Sequence, residues 1–139
     1  MENTEEIMDF IDCTGKRRMF KFETLESGPL MRLEAREIRN DTQPGYYFRE
    51  IGMVDHHALL RGSLNMKIKE GLSKRYIVPA KEGVGRWEML TEELAGHIDF
   101  DEENEETCFV VDGYKVTWDE FKDLVQAYEG FFFHLKFED

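Results

Sequence analysis

Between Arg18 and Thr24 the residues Phe20 and Phe22 alternate with Met19, Lys21 and Glu23, the period of two that marks a half-buried β-strand. Ile7 to Ile11 is a short apolar segment ahead of it, and the turn-forming run Cys13-Thr14-Gly15-Lys16 between the two makes a hairpin. After Ser27-Gly28-Pro29, the residues Met31, Leu33 and Ala35 alternate with Arg32, Glu34 and Arg36, so a third strand is expected. A fourth, Tyr46 to Ile51, follows the loop from Asn40 to Gly45, which is dense in turn formers. Four short strands joined by short turns predict an antiparallel meander.

The period then changes. From Asp55 to Tyr76 the apolar residues Leu60, Leu64, Ile68, Leu72 and Tyr76 recur at every fourth position, which predicts an amphipathic helix capped by Asp55. Gly62 and Gly71 weaken it unless they permit close packing on the sheet. Residues 79–86, PAKEGVGR, read as a mobile connection within one domain, because the C-terminal remainder of the chain holds too few elements for a core of its own. Short strands are expected at Trp87 to Leu90, Gly96 to Phe100, Cys108 to Val111 and Tyr114 to Val116, the last two joined by the hairpin signal Asp112-Gly113. Thr117 to Glu120 fits a capping box, with Val116 and Phe121 in the staple positions, so a helix is predicted over 118–129. Phe131, Phe133, Leu135 and Phe137 then alternate as the face of a terminal strand. The expectation is a single α+β domain over 1–139, an antiparallel sheet of about six to eight short strands with two helices packed on it.

Composition narrows the function. With 139 residues, 41% of them hydrophobic, the chain can bury a core and is not an acidic disordered tail. Its net charge of −12 is confined to one end: residues 1–80 carry 13 basic and 13 acidic side chains, and residues 81–139 carry 5 and 17. Six carboxylates fall in the octet from Asp99 to Glu106. A uniformly basic nucleic-acid surface is excluded, although a local basic patch on the long helix is not. No stretch approaches the roughly 18 apolar residues of a membrane span, and the acidic start MENTEEIMDF is unlike a signal peptide, so a cytoplasmic protein is expected.

The stretch from Val111 to Phe137 resembles the closing motif of an uncharacterised family of small bacterial domains. The positions that carry the resemblance are Asp112, Gly113, Thr117, Trp118, Asp119, Glu120, Phe121, Tyr128, Glu129, Gly130 and Phe131. The run Asp12-Cys13-Thr14-Gly15-Lys16 and the Gly45-Tyr46 turn are similar too. The resemblance implies a domain of unknown function and no chemistry.

Candidate chemistry is sparse. The octet lacks the Gly and the closing Glu of a calcium loop, since Asn104 and Val110 stand there. His56 and His57 are adjacent on a helix and point about 100° apart, while His97 and His134 stand alone, so no metal site is assigned. Cys13 and Cys108 read as two reduced thiols. No GxSxG, P-loop or dinucleotide fingerprint occurs, and Gly83-Val84-Gly85 lacks the strand and helix context of a phosphate loop. Asp112, Asp119, Glu120 and Glu129 are explained more simply by turns and caps than as an acid and base pair.

No catalytic, cofactor-binding or metal residue is therefore assigned. The leading expectation is a non-catalytic interaction module whose partner is a protein with a basic surface, met by Asp99, Asp101, Glu102, Glu103, Glu105 and Glu106. Phe132 points opposite to Phe131 and Phe133 and is the candidate for a homodimer face. The alternative is a small-molecule-binding or enzymatic domain, with a cleft between the sheet, the 79–86 loop and the C-terminal helix.

Overall fold

The structure, a computed structural model, describes residues 6–81 and 86–139. The reading of 79–86 as a mobile connection, and of Gly83-Val84-Gly85 as no phosphate loop, rests on residues 82–85, which lie outside the described residues.

The meander is present. Strands β1 (Glu6–Ile11), β2 (Arg17–Ser27), β3 (Leu30–Glu37) and β4 (Tyr47–Met53) lie in sequence order, every pair antiparallel. The ladder sets Phe22 opposite Ala35 and Ala35 opposite Phe48, so the apolar rows of successive strands share one face. After a 3-10 turn over Val54–His56, helix α1 (His57–Leu72) lies across that face. Leu64, Ile68 and Leu72 are fully or almost fully buried against Phe10, Phe20, Phe22, Met31 and Leu33, each stabilising by about 1.5–3 kcal/mol.

The helix is shorter than the periodicity predicts. His56 occupies the N-cap position and makes no side-chain cap, so Asp55 does not serve as predicted. At the other end Ser73 closes the helix by bonding back to the Glu70 carbonyl. Tyr76 lies beyond it because its amide, with that of Ile77, is held by the carboxylate of Asp112 at 2.9 and 3.0 Å. Of the two glycines, Gly71 is the one required: a Cβ there would sit 2.4 Å from the Phe48 ring, whereas Gly62 has nothing within 4 Å.

Beyond α1, β5 (Ile77–Pro79) pairs with β6 (Trp87–Met89). The sequence pattern does not reveal β5, because three residues are too few to show a period. Strand β7 (His97–Asp101) pairs with β8 (Glu106–Val111), and β8 with β9 (Tyr114–Val116). The turn between β8 and β9 puts Asp112 and Gly113 at φ +54° and +80°, as the Asp-Gly signal requires. Helix α2 (Trp118–Gln126) opens with the full capping box: Thr117 accepts from the Glu120 amide at 3.1 Å, and Glu120 accepts from the Thr117 amide at 2.9 Å. Among the described residues the fold is thus α+β, with nine strands and two helices, but the strands are divided among three antiparallel sheets and two cores. The second core is built from Ile77, Trp87, Val111, Val116 and Leu124.

The expected terminal strand is absent as a strand. Helix α2 closes at Gln126, Gly130 takes φ +89°, and residues 131–139 pair with no sheet and are exposed throughout. Their alternation is real, but among the described residues no strand forms a ladder with them.

Candidate functional site

Five of the residues that carry the family resemblance, Asp12, Gly45, Tyr46, Asp112 and Gly113, converge where the two cores meet. Asp12, just past β1, accepts bonds from the Thr14 amide, the Thr14 hydroxyl and the Lys16 amide, which closes the turn into β2. Its second oxygen accepts from Arg18 Nε at 2.8 Å, and Arg18 donates onward to Glu37 at the end of β3, also at 2.8 Å. The side chains of all three are 5–6% exposed. Glu37 accepts in turn from the Tyr46 amide at 3.1 Å, and the Tyr46 ring stacks under the Arg18 guanidinium, 5.1 Å away.

The second half of the chain closes on this network through its hairpin turn. The Gly45 amide donates to the Gly113 carbonyl at 2.9 Å. A side chain at Gly113 would press on the Tyr46 amide and on Glu37, so the glycine is needed for the approach as well as for its φ. Asp112 beside it holds the amides of Tyr76 and Ile77 through one oxygen, and its other oxygen is buried without a hydrogen-bond partner. Gln43 accepts from the Lys115 amide, and Arg39, which forks onto Asp41, lies over the Tyr114 ring.

Electrostatics distinguishes the two aspartates. Burial pushes Asp12 up, but the bonds from Thr14, Arg18 and the Lys16 amide outweigh it and hold the carboxyl well below the usual range. For Asp112 burial wins over two amide bonds and the carboxyl is raised. Tyr46 is raised above the normal phenol range by its own burial, with Asp112 adding to it. Asp12, Arg18, Glu37, Tyr46 and Asp112 are engaged with one another and with neighbouring backbone amides, so what this arrangement does chemically is lock two sheets together.

In the sequence Tyr46 is marked only as part of a turn and the start of a strand, and Arg18 and Glu37 are not singled out, although a signal exists. Arg18 falls in the same strand row as Phe20 and Phe22, Glu37 in the row of Met31, Leu33 and Ala35, and Tyr46 in the row of Phe48. A charged residue in an apolar row is a buried charge in need of a partner.

The octet spans the tip of the β7–β8 hairpin, with Asp99 to Asp101 in β7, Glu102 to Glu105 in the turn and Glu106 in β8, and its residues separate into two kinds. Asp101 is buried at the base, where it accepts from Asn104, the Glu103 amide and Lys115. Hydrogen bonding from Asn104, followed by that from Lys115, lowers its pKa despite the cost of burial. Glu102, Glu103 and Glu105 are exposed on the tip, Glu106 is half-buried, and exposed Asp99 accepts from the Phe100 amide. Glu103 lies 3.5 Å from Lys115. Phe132 is fully exposed, far from this hairpin's base in the chain.

The remaining candidates are scattered. His56 and His57 are exposed at the start of α1, and His97 is half-buried against the Tyr47 ring, its pKa lowered by desolvation. Cys13 is exposed, while Cys108 is buried and its thiol pushed up by that burial. Asp119 and Glu120 stand in the first turn of α2, where they complement its dipole. A cavity of about 490 Å³ lies beside α2, lined by Gln43, Arg86, Glu103, Lys115, Thr117 and Glu120 among others. Lys115 and Glu120 are already committed there, to Asp101 and to the cap.

Two family models match the chain. Residues 2–73 match the Domain of unknown function (DUF7686), and residues 79–139 match the Domain of unknown function (DUF7713). No curated protein and no solved structure matches. The matches meet between the two cores, and no helix among the described residues is long and apolar enough to cross a membrane.

Proposed function

We propose that this chain, which belongs to the domain-of-unknown-function family DUF7686, is a non-catalytic interaction module of the bacterial cytoplasm that offers its acidic β7–β8 hairpin to a basic protein surface. The observation that carries this reading is the division within the octet. Asp101 is spent on the hairpin's own base, bound to Lys115 and Asn104, which fixes the turn. Glu102 and Glu105 are exposed and, among the described residues, form no ion pair, so their charge is directed outward. A rigid cluster of like charge steers a complementary surface and raises its association rate more than its final affinity. The two halves work as one domain in this reading, supported by the bonds that Asp112, Gly113 and Gln43 make across the junction.

The test is capture of partners on the immobilised protein at low and high ionic strength. Screening shortens to about 3 Å at 1 M salt, so the complex dissociates there. It is also lost when Glu102, Glu103 and Glu105 are changed to Gln. A complex indifferent to both treatments removes the acidic hairpin from the mechanism.

One observation favours the alternative of a ligand-binding or enzymatic domain: the 490 Å³ cavity lies beside Arg86 and the start of α2. A thermal-shift screen with small anions and neutral metabolites separates the two readings. A stabilising ligand whose effect is abolished by Arg86→Ala supports the cleft over the hairpin.

A further inference from the structure

The segment 131–139 has the sequence of a strand and no sheet. Phe131, Phe133, Leu135 and Phe137 fall on alternate positions, with Phe132, His134, Lys136 and Glu138 between them. All are exposed, Phe133 to 89%, and the backbone joins no ladder. Asp139 reaches Arg49 at 3.0 Å, which holds the end of the segment without sheltering its aromatic rings.

Strand β7 has the opposite need. It is the outer strand of its sheet, laddered to β8 on one side. Ile98 and Phe100 on one of its faces are 51% and 59% exposed, and Ile98 continues through its ladder partner Phe109 to the half-exposed ring of Trp118. The Phe100 amide is satisfied by the carboxylate of its own neighbour Asp99, a bond that a ladder can replace.

We propose that the chain forms a symmetric homodimer in which segment 131–139 of each copy adds as an antiparallel strand to β7 of the other. Charge selects the register. With Lys136 opposite Asp99, antiparallel pairing sets Leu135 against Phe100, Phe137 against Ile98, His134 against Asp101 and Glu138 against His97. Two of these pairs join apolar side chains and Lys136–Asp99 joins opposite charges, while Asp101 stays with Lys115 and Asn104 on the hairpin's own base. The parallel alternative would set Glu138 against Asp101 and His134 against His97, like on like. This register seats Leu135 and Phe137, 65% and 69% exposed in the single chain, on the exposed face of Phe100 and Ile98, and runs Phe133 to Phe131 beside the turn at Glu102 to Asn104. Exchange makes the contact isologous, so it closes at two copies.

Sedimentation equilibrium reads the outcome directly. The wild type is expected at twice the 16.5 kDa of the chain. Phe137→Glu or Leu135→Pro is expected at the single mass with an unchanged circular dichroism spectrum, since the segment supports no core. Lys136→Asp weakens association by about 2- to 30-fold, the pair occurring twice, and Asp99→Lys in the same chain restores it. In a Cys13→Ser background, Asp99→Cys and Lys136→Cys are made in separate preparations and mixed, and a disulfide between the two is expected. A monomeric wild type overturns the proposal, as does a dimer that keeps its mass with Phe137→Glu. So does a 99–136 disulfide that forms within one chain of the double variant and never between mixed chains, which would seat the segment on its own β7. The salt-sensitive capture of a basic partner is read separately, on the monomeric Phe137→Glu variant, so failure of the dimer and failure of the acidic hairpin are distinguishable.

Discussion

Replacing Arg18 by Met removes the cation between two buried carboxylates while keeping most of the side chain's volume. Asp12 and Glu37 each lie 2.8 Å from the guanidinium, with side chains about 5% exposed. Breaking a buried pair by deleting one partner costs about 3–5 kcal/mol, because the remaining charge is left uncompensated. Asp12 keeps its bonds from Thr14 and Lys16, and Glu37 its bond from the Tyr46 amide, so the lower end applies, about 3 kcal/mol. For a chain of this size that corresponds to a fall in Tm of roughly 10 °C. Urea unfolding followed by circular dichroism measures it. Arg18→Lys, which keeps the charge and loses the fork, should fall between the two. The pH profile adds an independent reading. The folded Asp12 carboxyl is depressed, so its contribution is present above the unfolded value near 4 and is lost as pH falls toward the folded one. Deleting Arg18 removes one of the depressing bonds, so the acid limb of the stability profile becomes shallower. A loss below about 1 kcal/mol with an unchanged acid limb would refute the assignment of Arg18 as the centre of the junction.

Other consequences are independent of that network. Gly62→Ala stabilises by up to about 1 kcal/mol by helix propensity, whereas Gly71→Ala destabilises by about 1–3 kcal/mol because its Cβ meets the Phe48 ring; paired thermal melts give the two signs. Thr117→Ala removes the cap of α2 and costs about 1 kcal/mol, read as a lower urea midpoint with an unchanged slope. Asp112 is raised in the folded state, so it binds its proton more tightly there than when unfolded. Stability therefore declines as pH rises from near 4 through the folded value, and Asp112→Asn should flatten that decline in a pH series of melts.

Much of the fold is legible in local pattern. The alternation of Phe20 and Phe22, the fourfold recurrence of Leu64, Ile68 and Leu72, the Asp112-Gly113 turn and the Thr117 cap each state a preference that a few neighbouring residues satisfy alone. The ends of α1 were less legible, because its last predicted turn competes with Asp112, a residue 36 positions away. Within the octet, composition supplies six carboxylates, but only the position of Lys115 in β9 decides that Asp101 is structural.

The sequence by itself determined the types of most elements, though not β5 or the unpaired terminal segment, together with the meander and the acidic end of the chain, since periodicity, turn chemistry and charge are properties of neighbours. Only the tertiary structure decided that the strands fall into three sheets over two cores. It also decided that Asp12, Arg18, Glu37, Tyr46 and Asp112 meet at one joint, and that residues 131–139 are left without a partner strand. The reason is that pairing depends on which edges are already taken and which charges are brought under the same roof, and those are set by distance in space rather than along the chain.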